Sequence, residues 1–138
     1  MYEQLPLHFQ DEKRIAFVDD NQIIGIMEGP DWTMRARIKA HLKPITGLTF
    51  DEFDSLYSIG LDRKICRFDN YLLGHKIILE KEKDPLIISY FEEFILVGMD
   101  GCQVRFLNPQ TLLCRKIIAI GGIPKVQFGS HRLIQSTS

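Results

Sequence analysis

The side chains best suited to hold a metal or attack a substrate are four histidines (His8, His41, His75, His131) and three cysteines (Cys66, Cys102, Cys114). Their spacing argues against both roles. A short metal motif needs pairs such as Cys-x-x-Cys or His-Glu-x-x-His, and neither occurs. A site built from the histidines would need four distant places to converge. Paired carboxylates that could share general acid–base work occur as Asp19-Asp20 and as Asp51 with Asp54, and both sets read as turn residues. A Gly-x-Ser-x-Gly elbow and a glycine-rich phosphate loop are also missing. The reading is therefore of a protein that is not an enzyme, with no catalytic residue, no cofactor and no metal.

The elements that would position any site are strands. Period-two alternation and β-branched runs dominate, and no segment carries a helical stripe. A first unit offers strands at Leu5–Phe9, Arg14–Val18, Ile23–Met27 and Met34–Ala40. A second offers Ile45–Phe50, Leu56–Ile59, Ile65–Phe68 and His75–Glu80. The third offers Leu86–Tyr90, Phe94–Val97, Val104–Leu107 and Leu112–Ile120. A fourth begins with Val126–Phe128 and Arg132–Ser136. Turn chemistry separates them: Gln10–Lys13, Asp51–Asp54 and Glu92-Glu93 lie between first and second strands, while Gly29-Pro30-Asp31, Asp69-Asn70 and Asn108-Pro109-Gln110 lie between third and fourth. The acids in these turns read as exposed hairpin tips.

These units repeat. Asp20–Ile26 aligns with Asp62–Phe68 without a gap, and Asp100–Leu107 aligns with one extra residue, so Ile26, Phe68 and Leu107 fall 42 and 39 residues apart. A period of about 40–45 residues with several short strands per period is the pattern of propeller blades. The expected fold is all-β, a propeller segment of about three and a half four-stranded antiparallel blades. The units run over about residues 3–41, 42–83 and 84–122, with the start of a further blade at 123–138. Three and a half blades do not close a ring, and an open arc leaves strand edges and apolar faces in water. The chain is expected to be completed by further sequence or by a partner.

The second unit resembles the WD-repeat family. His41–Phe50 is similar to the family's Gly-His dipeptide, short loop and first strand, with Ala40 where glycine is usual. Asp51–Asp54 looks like the first hairpin turn. Ser58-Ile59-Gly60-Leu61-Asp62 is similar to the end of the second strand and its turn Asp, and Ile65–Asp69 resembles the third strand, with Phe68 in place of Trp. The neighbouring units match less well. Unit one keeps Asp20 and has Ile26-Met27 at the Trp-Asp positions; unit three has Leu107-Asn108 there. The resemblance implies a hydrogen-bonded tetrad of His41, Ser58, Asp62 and Phe68 that pins the first three strands. Phe68 has no indole N–H, so packing must replace that link.

The implied work is to hold other proteins in place. Partners would be other proteins and the rest of the chain's own propeller. A formal net charge of −1 gives no footprint for nucleic acid, and no apolar run reaches membrane-spanning length, so neither nucleic acid nor membrane insertion is expected. An odd number of unpaired cysteines suits a reduced, cytoplasmic setting, and the degenerate repeats look similar to those of cytoskeletal and ciliary or flagellar scaffolds. Lys43, Arg63, Lys64, Lys83, Asp84 and Gln103 form the face that the family resemblance favours for the main partner. The opposite face carries Glu52, Asp54, Asn70, Tyr71, Glu92, Pro109, Gln110 and Trp32; an exposed indole there would suit a binding hot spot, and packing against the adjoining blade is the reading favoured over it. Two other readings stay open: a propeller that binds or transforms a small molecule at its central channel, and a β-rich module that is not a propeller.

Overall fold

The structure, a computed structural model, describes residues 7–10 and 13–119. Twelve strands form three four-stranded antiparallel sheets. The first holds β1 (Leu7–Gln10), β2 (Arg14–Val18), β3 (Ile24–Glu28) and β4 (Thr33–Ile38). The second holds β5 (Ile45–Phe50), β6 (Leu56–Gly60), β7 (Lys64–Asp69) and β8 (Leu72–Ile78). The third holds β9 (Pro85–Phe91), β10 (Phe94–Met99), β11 (Gln103–Leu107) and β12 (Cys114–Ala119). Within each sheet the strands lie in chain order. There is no helix among the described residues. The first strands are innermost, with β5 lying against both β1 and β9. The three sheets stack as blades in an arc that does not close. The further blade expected at 123–138, with its strands Val126–Phe128 and Arg132–Ser136, lies outside the described residues, as do Leu5, Asp11 and Glu12.

Alternation along the strands builds two cores. Ala16, Val18, Ile24 and Ile26 of the first sheet pack on Leu48, Phe50, Leu56, Cys66 and Phe68 of the second. Tyr57, Ile59 and Ile65, on the second sheet's other face, pack on Ile88, Ile95, Val97, Met99, Leu107 and Leu112. The second sheet is thus covered on both sides, and every residue of β6 is buried. The fourth strands lie on the outer rim, where most side chains of β4, β8 and β12 are exposed.

Each outer strand carries the same irregularity. Pairing steps over Arg35 in β4, Gly74 in β8 and Arg115 in β12, leaving one bulged residue in each. These bulges correct the repeat alignment. They place Met27, not Ile26, at the position of Phe68 and Leu107. The turn before each third strand agrees: its left-handed residues are Gln22, Arg63 and Cys102 (φ 60°, 65° and 66°). A side chain forced to positive φ needs a tight turn to hold it there, and these recur after 41 and 39 residues. Bounds also shift at the outer strands. Asn70 and Tyr71 both take positive φ and close the hairpin at once, so β8 begins at Leu72, ahead of the expected His75. Leu112 is a turn residue, not a strand residue: its N–H donates to the Asn108 carbonyl at 2.7 Å and its φ is 63°.

Gly47 brings the inner strands of the second and third sheets together. A Cβ there would lie 2.9 Å from Ile88 Cγ2 and 3.3 Å from Ile59 Cγ1. Gly47→Ala is expected to destabilise the chain by about 1–3 kcal/mol through overpacking. Adding Ile88→Ala should recover part of that loss beyond what the two single changes predict. Urea midpoints of the four proteins measure it, and strict additivity would refute the contact.

Candidate functional site

Ser58 lies on β6 with no exposed surface, so its hydroxyl needs a partner inside the protein. That partner arrives from the loop between β4 and β5. His41 Nε2 lies 2.8 Å from Ser58 Oγ, and His41 Nδ1 lies 2.8 Å from Asp62 Oδ1 in the β6–β7 turn. A carboxylate only accepts, so Nδ1 carries the proton and Nε2 accepts from the serine hydroxyl. Asp62 is held in turn: Leu42 N–H donates to Oδ2 at 3.4 Å and Lys64 N–H to Oδ1 at 3.3 Å. Gly60 makes room for this pair, because a Cβ there would sit 3.0 Å from His41 Nδ1 and 3.1 Å from Asp62 Oδ1. The Ala40 carbonyl, next to His41, accepts from Lys76 Nζ at 2.8 Å and from the Cys66 thiol at 3.8 Å. Burial pushes that thiol up to about 11.

Of the four tetrad residues, then, His41, Ser58 and Asp62 meet through hydrogen bonds, and Phe68 does not join them. Its ring is buried in the core between the first and second sheets. Cys66, not Phe68, stands cross-strand from Ser58.

Above this buried pair runs a groove of about 520 Å³. Leu42, Lys43 and Pro44 form one wall, Leu61 to Lys64 the other, and Asp84 closes the end towards the third sheet. Arg63 Nε donates to Asp84 Oδ1 at 2.9 Å, and its guanidinium also reaches the Lys81 carbonyl. Lys43, Arg63, Lys64 and Asp84 are therefore brought together. Lys83 lies elsewhere, its stem passing over Gly101. Gln103 turns inward, with its Oε1 buried and unpartnered. Trp32 is half-buried in the β3–β4 turn, at the opposite end of the sheets.

That opposite end holds a network the sequence reading missed. Asp51 is not an exposed hairpin tip: it is 4% exposed. Its Oδ1 accepts from Phe53 N–H at 2.8 Å and Ser55 N–H at 2.9 Å, and its Oδ2 lies 2.7 Å from the Tyr57 hydroxyl. Asp19, in the β2–β3 turn at the groove end, wraps its own turn in the same way, accepting from Asn21 and Ile23 N–H. Asn108 does so for Gln110 and Thr111. Arg67 Nη1 donates to the Pro109 carbonyl at 2.8 Å and Nε to Asp69 Oδ1 at 3.0 Å, joining the second sheet to the third. Burial, reinforced by Asp51, pushes the Tyr57 hydroxyl well above its usual range. The Ser55 hydroxyl, with Arg67 in support, holds Asp69 below the usual carboxylate range. Beside the network lies a cavity of about 330 Å³ that takes in Glu52, Phe53, Tyr90 and Glu93. The available signal was an Asp followed two and four residues later by turn N–H groups, the spacing of a side-chain-wrapped turn.

No protein-family model and no curated protein sequence matches the chain. Solved structures do resemble it. Sqt1 of Saccharomyces cerevisiae superposes with a TM-score of 0.70 at 12% identity, over 84% of this chain and 34% of that one. Raptor of Chaetomium thermophilum gives 0.74 at 14% identity, over 83% of this chain and 12% of that one. BBS1N, crystallised in complex with ARL6DN, gives 0.69 at 19% identity, over 88% and 42%. The chain has a β-propeller-type fold, and it spans less than half the length of each of these structures.

Two outcomes follow from the two ends. Burial pushes the His41 imidazole below its ordinary 6.5, with Asp62 opposing in part. The unfolded chain takes up that proton near pH 6.5 and the folded chain does not. Stability is therefore complete above that pH and falls as pH drops below it towards the lowered native value. The carboxylates held low, Glu28, Asp69 and Glu80, act only below about pH 4.5. Denaturant unfolding between about pH 7.5 and 5.5 should show this slope, and His41→Gln should flatten it. An equal slope in that variant would assign it to other groups. At the other end, Tyr57→Phe should cost about 1–2 kcal/mol by removing the donor to Asp51 Oδ2. An unchanged urea midpoint would show that the hydroxyl contributes nothing.

Proposed function

We propose that this chain is part of a larger WD-repeat propeller whose work is non-catalytic: it docks other proteins within a multiprotein assembly. The observation that carries this reading is the groove over the His41–Asp62 pair. Its walls come from loops tied into the core, so it presents a fixed shape to a partner, and binding residues tend to sit on loops that a rigid scaffold positions. The propeller-type fold of the three sheets supports the same reading, as does the His41–Ser58–Asp62 hydrogen bonding within the second blade. The chain's partners are then other proteins and the remaining blades of its own ring. A cytoplasmic setting, in a cytoskeletal or ciliary assembly, is the one the degenerate repeats favour.

Amine-reactive cross-linking of the protein in its native assembly, read by mass spectrometry, tests this. Lys43 and Lys64, on the groove walls, should give links to other polypeptides. Links confined to the chain itself at both lysines, in an assembly that otherwise cross-links, would sink the docking role.

A further inference from the structure

We infer that the groove takes an extended acidic segment of a partner protein, one apolar side chain of which seats on Leu42 and Leu61. This rests on the docking role proposed above and adds the chemistry of what is docked.

The apolar seat comes first. Leu42 is 82% exposed, and Pro44 and Leu61 continue the same surface. The loop that carries Leu42 is not free to bury it: His41 is tied to Ser58 and Asp62, and Leu42 N–H itself points to Asp62 Oδ2. An exposed leucine on a tethered loop is covered by something that comes to it.

The charges then select the occupant. Two carboxylates line the groove, and both are engaged. Asp62 is turned down onto His41 with 8% of its side chain exposed, and Asp84 is paired with Arg63. Lys43 and Lys64 stand on opposite walls, and neither forms an ion pair among the described residues. Several backbone N–H groups of the walls are already used, Leu61 donating to the Pro44 carbonyl and Arg63 to that of Gly60, which leaves the side chains to carry the charge selection. The groove therefore offers two ammonium groups about an apolar seat, which suits carboxylates flanking an apolar residue.

The other end of the sheets offers the reverse. There the exposed Phe53, 75% accessible, stands beside a cavity lined by Asp51, Glu52 and Glu93, whose one cation, Arg67, is held by Asp69 and the Pro109 carbonyl. An acidic segment is repelled from that aromatic residue and accepted at Leu42. Phe53 thus supplies an internal control for simple stickiness.

The test uses the full chain, isotope-labelled, titrated with a capped hexapeptide Glu-Glu-Leu-Leu-Glu-Glu and followed by amide chemical shifts. Shifts should gather at residues 42–44, 61–64 and 84, and added salt should weaken them. Lys43→Glu with Lys64→Glu should weaken binding at least about tenfold and gain binding of the Lys-for-Glu peptide; unchanged His41 ring signals would show the fold intact. Equal binding of acidic and basic peptides by the unmodified chain would overturn the proposal. So would shifts centred on Phe53, or acidic-peptide binding that ignores the double change. A Ser-for-Leu peptide that binds as tightly would overturn the apolar seat. Displacement of the peptide by a single-stranded RNA at lower concentration would overturn it in favour of a nucleic acid. If the peptide fails while Lys43 and Lys64 still cross-link to other proteins, the docking role survives and only the acidic partner falls.

Discussion

The second sheet is covered on both faces, and the rest of the structure depends on that constraint. Alternate residues of β6 go to opposite faces: Leu56 to the core shared with the first sheet, with Ser58 turned to His41, and Tyr57 and Ile59 to the core shared with the third. A hydroxyl enclosed this way has no water to bond with, and leaving it unmet costs more than the bond itself would contribute. The His41 imidazole meets it, and Asp62 meets the imidazole. A loop that would otherwise wander over the surface is thereby fastened to the interior. The shape of the upper groove is inherited from a packing requirement two layers below it.

The lower end solves the same problem differently. Tyr57 is the residue next to Ser58 and faces the other core, so its hydroxyl emerges among Asp51 and the Pro109 carbonyl. Arg67 lies over the Tyr57 ring, 5.8 Å from its centroid, and reaches the same carbonyl. The upper pair ties a loop to its own sheet, whereas the lower network ties one sheet to the next. Polar groups set registry between blades at the upper end too, where Ile45 N–H donates to Gln22 Oε1 and Arg63 to Asp84, and apolar interdigitation around Gly47 and Ile88 sets it in between.

Alternation of apolar residues made the strands legible, because each strand has one face to bury and a period of two is hard to counterfeit. The second blade was legible through its resemblance to a known repeat, and that resemblance is what singled out His41, Ser58 and Asp62. The repeat alignment slipped by one residue in the first blade because Ile23, Ile24 and Ile26 are all apolar. Composition alone could not say which of them faces the core. The left-handed turn residue and the bulge decide it, and neither depends on side-chain type: Gln22, Arg63 and Cys102 share no chemistry. Asp51 was misread for a related reason. A carboxylate in a turn looks the same in sequence whether it faces water or wraps backbone N–H groups, and its burial depends on Tyr57 and Pro109 arriving from elsewhere. Gln103 and Trp32 were placed by position within a unit, which says nothing about which way a side chain turns.

The bulged residue in every outer strand has a consequence for how such a molecule meets others. A flat rim strand is an open invitation to any passing extended chain, which can add itself indefinitely. Arg35, Gly74 and Arg115 interrupt that rim at the same place in each sheet, two of them with a charge. Lateral growth by strand addition is discouraged three times over. Under the docking role proposed above, recognition is thereby steered to the two loop-bearing ends, where a partner is bounded in size and the contact cannot propagate.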